Sequence, residues 1–291
     1  MRTRSKGWKA AKKKGHQTED LLSEKVFKED KFREFVYKET FGEEGGQNAS
    51  VEGCGINAKK VPSVLPELTD RKADLRITWQ NGKTAGFSIK NDIHGQVYLP
   101  TVSHFIEGCF YQYNLTVPEN VKLMLRLFIG DDEKEWFEYS KKIGFSGYYY
   151  KKTREPLERH QKRFCAETLC RAFPKEWDSL VIWFRENIKE ITSLSFCKGL
   201  CLEREHQADY YWVYTFNKRN APPINRIISI EKIISSISKL PDEKKCFVGP
   251  KNGGTTLWLP FGTLQMHSPG KIKNRMQFRH ELPFIEKLIN E

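Results

Sequence analysis

The spacing of hydrophobic residues changes along the chain, and each spacing predicts a different kind of element. Apolar residues at helical intervals predict helices in four stretches: 8–40, 101–114, 131–142 and 155–192. The polar and glycine-rich segment 42–57 predicts a loop. The almost unbroken apolar run 121–130 predicts a buried strand.

The pattern changes again in the second half of the chain. From about residue 208, short alternating runs separated by Gly and Pro predict strands. A shift in composition near residue 150 predicts two regions, 1–150 and 151–291, the second of them first helical and then β-rich. A single large domain is the alternative for a chain of this length.

A hairpin is predicted at residues 72–91, KADLRITWQNGKTAGFSIKN, where two alternating runs flank Asn81-Gly82. The apolar residues of both runs must lie on one face of the hairpin. Because side chains alternate between the faces and the apolar residues of both runs have odd numbers, each cross-strand pair must have residue numbers with an even sum. A three-residue turn at 81–83 satisfies this condition. It predicts that Leu75 lies opposite Ile89.

Polar residues gather on the other face of this predicted hairpin. The register places Asp74 across from Lys90, with Ser88 two residues away on the same strand. A carboxylate can bind Mg²⁺, which prefers oxygen ligands and keeps several waters. An ammonium group can orient an attacking water and offset charge on a phosphate. The alternative is an ordinary cross-strand ion pair on a solvated hairpin.

Asp74, the hairpin and Ser88-Ile89-Lys90 together resemble the motif of the PD-(D/E)XK nucleases, in particular the type II restriction endonucleases. The segment that follows, with Gln96, and the C-terminal segment 261–280 are similar to such enzymes as well. The resemblance implies an α/β, restriction-endonuclease-like core. In such a core a central mixed β-sheet is flanked by helices, and a mixed C-terminal region adds DNA recognition. It also implies Mg²⁺ as the cofactor, with Asp74 as a metal ligand.

The motif departs from the family pattern in two places. Ala73 stands where the family often has proline, and Ser88 stands at the position of the second carboxylate. Some of these enzymes have Ser-x-Lys here and take a glutamate from the next helix, which implies Glu107 as the second metal ligand. Glu19, on the first helix, is the other candidate. The alternative for both glutamates is that they are ordinary charged residues on the surface of a helix.

The charge of the chain favours a polyanionic partner. Lys and Arg number 49 against 37 Asp and Glu, a net charge of +12. They cluster at 2–14, 151–163 and 271–279, and the first cluster is predicted to be a phosphate-contacting arm or a disordered tail. A generally basic protein without such a partner is the alternative.

Side chains that can reach base edges crowd the C-terminal segment. Arg and Lys pair with guanine in the major groove, and Asn and Gln pair with adenine. The predicted DNA-contacting residues are Gln96, Gln265, His267, Lys271, Lys273, Asn274, Arg275, Gln277 and Arg279. The lysines suit phosphates as well as bases.

Seven cysteines and no visible export signal indicate reduced thiols. Cys165, Cys170, Cys197 and Cys201 could hold a structural zinc ion. However, the first pair lies in a helical pattern that points its side chains apart, so buried free thiols are the preferred interpretation.

The sequence thus predicts a type II restriction endonuclease that hydrolyses double-stranded DNA at a specific site with Mg²⁺. A structure-selective or repair nuclease of the same superfamily and a non-catalytic DNA-binding protein are the alternatives. We expect a homodimer, because cutting both strands of a palindrome calls for two related sites. No apolar run approaches the roughly 20 residues of a membrane span, so we expect a cytoplasmic, nucleoid-associated protein of a bacterium or archaeon.

Overall fold

The structure is a computed structural model, and the residues that it describes are 4–53, 59–144, 163–215, 223–248, 256–267 and 274–291. Side chains are described from His16 onward, so those of the predicted basic arm, 2–14, lie outside the described residues. None of the helices in the described ranges is long and apolar enough to cross a membrane.

The chain divides into two compact units, and each unit is built from two chain segments. Unit 1 comprises Met1–Gly95 and Thr192–Ser235, and unit 2 comprises Gln96–Ile191 and Ser236–Glu291. The boundary predicted near residue 150 lies in the range 145–162, outside the described residues. The functional division into a catalytic core and a recognition region stays a prediction.

Helices and strands alternate along most of the chain. The helices are α1 (Arg4–Lys28), α2 (Asp30–Phe41), α3 (Val102–Tyr113), α4 (Glu119–Ile129), α5 (Glu133–Lys142), α6 (Ala166–Ala172), α7 (Pro174–Glu186), α8 (Ile188–Ser193), α9 (Ile230–Ser238), α10 (Asp242–Lys245) and α11 (Leu282–Asn290). The strands are β1 (Ala49–Gly53), β2 (Leu75–Trp79), β3 (Thr84–Lys90), β4 (His94–Tyr98), β5 (Tyr210–Thr215), β6 (Ile224–Ser229), β7 (Phe247–Val248), β8 (Leu257–Leu259), β9 (Gly262–His267) and β10 (Arg275–Glu281). A π-helical turn, Leu194–Lys198, follows α8 directly.

Unit 1 contains a five-stranded mixed sheet with the strand order β1-β2-β3-β5-β6. Strands β3 and β5 are parallel, and the other neighbours are antiparallel. One face packs against α1 and α2 around buried side chains such as Trp79, Phe87 and Trp212. On the other face, Tyr211 contacts Phe196 of the π-helical turn. The expected α/β architecture, a mixed sheet flanked by helices, is confirmed.

The helical pattern predicted across 8–40 forms two helices rather than one. The chain turns at Glu29, whose backbone is extended. The side chain of Arg33 is almost fully buried at this turn and donates to the carbonyl oxygens of Val26 at 3.1 Å and Gly46 at 3.0 Å. These carbonyls satisfy a buried guanidinium, so the corner between α1 and α2 is held by one side chain.

The loop predicted across 42–57 contains β1, which pairs with β2 at the edge of the sheet. Its alternate residues are only half-buried, as expected for an edge strand. A polar sequence therefore forms a strand here because a neighbouring strand supplies its hydrogen-bond partners.

The strand predicted at 121–130 is wrong, because these residues form α4. Val121, Met124, Leu125 and Phe128 lie on one helical face, and all are buried. Gly130, with φ 70°, ends the helix by donating its N–H to the Arg126 carbonyl. The apolar run is nearly continuous because this helix is buried on most of its sides.

Unit 2 contains most of a second sheet, with the order β4-β10-β9-β8-β7. The pairs β10–β9, β9–β8 and β8–β7 are antiparallel. Strand β10 alternates clearly, with Met276 and Phe278 buried and Gln277 and Arg279 half-buried. Strand β10 therefore has one apolar face and one more polar face, whereas all three residues of β8 are buried.

Candidate active site

The β2–β3 hairpin keeps the predicted parity but shifts the register by two residues. Leu75 pairs with Phe87 rather than with Ile89. The turn covers 80–82, one residue earlier than predicted, with Gly82 at φ 82°. In three-residue hairpin loops the last residue takes this left-handed conformation, so Gly82 belongs at the third position, not the second.

Asp74 directly precedes β2, and continuing the observed register by one residue would place it nearest Ser88, not opposite Lys90 as predicted. The Asp74 backbone N–H donates to the Phe87 carbonyl at 2.8 Å. Its carboxylate oxygen Oδ2 accepts from the Ile89 N–H at 2.7 Å. The backbone of β3 thus holds this carboxylate in place.

The structure nevertheless brings the three predicted residues together. Lys90 Nζ lies 3.6 Å from Asp74 Oδ2 and donates to Ser88 Oγ at 3.0 Å. The Ser88 hydroxyl in turn lies 3.4 Å from Asp74 Oδ2 and can donate to it. The Asp74 and Lys90 side chains are 24% and 17% exposed, so the group is partly shielded from solvent yet open to a ligand.

Glu19 of α1 belongs to the same unit, and the charge of Asp74 affects its pKa. Burial raises the pKa of Glu19, and the negative charge of Asp74 raises it further. His16 Nδ1 lies 3.2 Å from Glu19 Oε2, and the charges of His16 and Lys90 act in the opposite direction on this pKa. The negative charge of Asp74 thus acts on Glu19, and the role of Glu19 as a metal ligand stays a prediction.

Glu107 lies on α3 in unit 2, and its side chain is exposed. Its predicted role as a second metal ligand stays a prediction.

Lys72 is a charged neighbour of this group that sequence reasoning missed. Its Nζ donates to the Ser195 carbonyl in the π-helical turn. Burial lowers its pKa to about 8, and the positive charge of Lys90 contributes to this decrease. Gly199, with φ 52°, leaves room for it, since a Cβ there would lie 2.8 Å from the Lys72 Cδ. The available signal was its spacing of two residues from Asp74.

The predicted DNA-contacting residues that the structure describes all lie in unit 2. The side chains of Gln96, Gln265 and Gln277 are linked by hydrogen bonds. Arg275 donates to the Leu99 carbonyl at 3.2 Å, and Asn274 donates to the Gly130 carbonyl at 2.9 Å. His267 and Arg279 are half-buried on β9 and β10. Lys271 and Lys273 lie outside the described residues.

The cysteines of the proposed zinc set are free thiols in two different units. Cys165 and Cys170 belong to unit 2, and Cys197 and Cys201 belong to unit 1. Burial raises the pKa of Cys170, Cys197 and Cys201, which disfavours the thiolate form that binds zinc. This effect supports the preferred interpretation as free thiols.

Within the described ranges, one cluster of three potential metal ligands comes together, at Glu203, Glu205 and His206. Both glutamates are exposed and pair with the His206 ring. The His206 carbonyl accepts from the Lys72 and Ala73 N–H groups, so the cluster adjoins the chain segment that leads into Asp74. Sequence reasoning did not identify it.

No protein-family model matches this chain, and no curated protein matches it. Among solved structures, the chain is similar to the crystal structure of restriction endonuclease MspI in complex with its cognate DNA. The two are 13% identical with a TM-score of 0.47, over 96% of this chain and 100% of that chain. At this TM-score the likeness carries no argument about what this chain does.

Proposed function

We propose that the chain is a Mg²⁺-dependent endonuclease that acts on double-stranded DNA. The observation that carries the proposal is the grouping of Asp74, Ser88 and Lys90 at the start of β2 and the end of β3. It places a carboxylate and an ammonium group 3.6 Å apart. The net charge of +12 supports a polyanionic substrate.

The carboxylates of Asp74 and Glu19 are oxygen ligands of the kind that would hold a divalent cation. Their mutual repulsion helps to raise the pKa of Glu19, and a bound cation would offset that repulsion. Mg²⁺ needs only one or two protein carboxylates, because waters and substrate phosphate complete its shell. When bound, Mg²⁺ would supply charge neutralisation at the phosphate and a water of lowered pKa.

The Ser88 hydroxyl lies between the two charged groups and can accept a hydrogen bond from one and donate a hydrogen bond to the other. It accepts from Lys90 Nζ and can donate to Asp74 Oδ2. Lys90 also donates to the Ile89 carbonyl at 2.9 Å, which orients its remaining N–H group. A lysine held in this way can offset the charge that develops on a phosphate during hydrolysis. Ser88 therefore positions Lys90 and does not replace the missing carboxylate.

The finer assignment is a type II restriction endonuclease that works as a homodimer in the cytoplasm of a bacterium or archaeon. It is supported by the Ser-x-Lys form of the motif and by the polar residues of unit 2. The alternatives are a structure-selective or repair nuclease and a DNA-binding protein without catalysis.

Digestion of a supercoiled plasmid with Mg²⁺ tests the proposal. We expect discrete fragments from the native protein and none from Asp74→Asn, since the substitution removes the charge that would bind the cation. Asp70→Asn is the matched control, because Asp70 is 85% exposed and pairs with Lys60. It should cut like the native protein.

Three other results of this digestion would contradict the proposal or favour an alternative. Cleavage by Asp74→Asn at the native rate would refute the site. Preference for branched DNA would favour a repair nuclease, and DNA binding without any cleavage would favour a non-catalytic protein.

A further inference from the structure

Three glutamines on three neighbouring strands form a row across the second sheet. Gln265 of β9 lies directly opposite Gln277 of β10, and β4, which carries Gln96, lies on the other side of β10. The Gln265 Nε2 donates to Gln277 Oε1 at 2.6 Å, and the Gln277 Nε2 donates to Gln96 Oε1 at 3.3 Å. Every amide in this row, which we call the amide row, therefore points its nitrogen in the same direction along the row.

The amide row lies on the more exposed face of β10. Met276 and Phe278, which flank Gln277 in β10, are buried on the apolar face. Gln277 and Gln265 are half-buried, and Gln96 is exposed. Because β4 is the last strand of the sheet, the exposed end of the row is at the sheet edge.

The hydrogen bonds within the row leave a defined pair of groups on Gln277. A primary amide has two N–H donors and two acceptor lone pairs. The row uses one N–H and one lone pair of Gln277, so one donor and one acceptor remain side by side. Adenine presents an N7 acceptor and an N6 donor in the major groove, which matches this pair. Since the row already orients the amide, binding costs little side-chain entropy.

Two arginines flank Gln277 on the same strand and face. Arg275 and Arg279 are each two residues away, a spacing of about 6.8 Å along a strand. That spacing is about two base-pair steps of roughly 3.4 Å each. Arg279 is half-buried on this strand, and its guanidinium is of the kind that binds a phosphate or a guanine.

This geometry favours duplex DNA over duplex RNA. The major groove of B-DNA is about 12 Å wide and presents base edges that protein side chains can reach. The major groove of A-form RNA is deep and narrow, and side chains do not read it.

We infer that Gln277, held between Gln265 and Gln96, is a specificity-determining residue that recognises an A·T base pair in the major groove of DNA. The inference deepens the proposed function and rests on it for the identity of the substrate.

Selection of bound duplexes from a randomised DNA library tests the inference, with Asp74→Asn as the background so that binding is measured without cutting. We expect this protein to select a sequence with an A·T pair at one position. Gln277→Leu should reduce the preference at that pair by roughly 10- to 100-fold. Gln277→Glu should move the preference there towards cytosine, because a carboxylate accepts from the cytosine N4 amine.

A matched control is Gln80→Leu, an exposed glutamine in the β2–β3 turn that should leave every position unchanged. Thermal melting separates recognition from structure, since a purely structural Gln277 would change the melting temperature and leave the base preference unaltered. The inference is overturned if both Gln277 variants select the native sequence, if no sequence is selected, or if duplex RNA is preferred.

The two proposals can fail separately. If the native protein does not cut DNA with Mg²⁺ but Gln277→Glu shifts the selected base, the inference stands and the nuclease proposal falls. If the native protein cuts at a fixed sequence that both Gln277 variants also cut and select, the nuclease proposal stands and the inference falls.

Discussion

Asp74 is held by the backbone of the neighbouring strand rather than by another side chain alone. The Ile89 N–H donates to its carboxylate at 2.7 Å, and this bond belongs to the same strand that carries Ser88 and Lys90. The relative positions of the charged groups thus follow from one hairpin. Residues on rigid strands hold such a geometry better than residues on loops.

From the raised pKa of Glu19 we predict how the stability of the protein depends on pH. Between the ordinary glutamate pKa of 4.5 and the raised pKa, Glu19 is protonated more often in the folded chain than in the unfolded chain. The free energy of unfolding therefore decreases as the pH rises through this range, because protonated Glu19 favours the folded state and ionised Glu19 does not. Glu19→Gln should increase stability at pH 7 without metal, flatten this pH dependence, and weaken the stabilisation by Mg²⁺. Urea denaturation from pH 4 to pH 8, with and without Mg²⁺, measures all three effects.

Glu24→Gln is the control for this prediction, because Glu24 is exposed on the same helix and its pKa is lowered by Lys28. It should show none of the three effects. A Glu19→Gln protein that is less stable than the native protein at pH 7 and still responds fully to Mg²⁺ would contradict the assignment.

At the scale of elements, the π-helical turn Leu194–Lys198 forms a site for one half-buried lysine. The Ser195 carbonyl receives Lys72 Nζ, and Gly199 gives the side chain space. Single π-helical turns often occur at functional sites, where the extra residue changes the direction of backbone groups. Here the change directs a carbonyl oxygen at a buried ammonium group.

Lys72→Met should stabilise the protein at neutral pH. The unfolded lysine has a pKa of 10.5 and the folded one of about 8, so burying the charge costs about 3 kcal/mol below pH 8. Because the hydrogen bond to Ser195 is also lost, we expect a net gain of roughly 1–3 kcal/mol at pH 7. The gain should shrink as the pH rises from 8 to 10.5, since the unfolded lysine then loses its proton as well.

Urea denaturation at pH 7 and pH 10 measures this difference. The exposed Lys31 supplies the control variant, Lys31→Met, which should change stability little at either pH. A Lys72→Met protein that is equally destabilised at both pH values would show that Lys72 contributes contacts rather than a buried charge.

Elements with a regular spacing of apolar residues were predictable from the sequence. Elements whose hydrogen-bond partners lie far away in the sequence were not. The alternation in 72–91 was enough for the apolar face of the hairpin, because parity depends only on local sequence. The register was wrong by two residues, because it depends on the conformation of Gly82. Strand β1 was missed because its hydrogen-bond partners come from β2.

The candidate site follows the same rule. Asp74, Ser88 and Lys90 were predicted from a short motif within one hairpin. Lys72 was missed, because the carbonyl that holds it belongs to Ser195, 123 residues later in the chain. The amide row was predicted only as single residues, since its order arises from the pairing of β9 with β10 and of β10 with β4.

At the scale of the whole molecule, the net charge of +12 predicts strongly salt-dependent DNA binding. If six to ten phosphates are contacted, affinity for duplex DNA should fall by roughly 10³- to 10⁵-fold between 50 and 200 mM salt. Titration of a labelled duplex at several salt concentrations gives the slope and hence the number of contacts. An affinity that does not change with salt would contradict an electrostatic mode of binding.

The parallel pairing of β3 with β5 determines when the candidate site can form during synthesis. Phe87 pairs with Tyr210, and residues 96–191 of unit 2 lie between them in the sequence. A nascent chain released from the ribosome only as far as β4 has Asp74 and Lys90 but lacks the strand that completes their sheet. Pairings this distant in sequence form slowly, because the intervening chain must first be brought to closure. Under the proposed function, cleavage activity should therefore appear only after β5 has left the ribosome, and unfinished chains would leave the DNA of the cell intact.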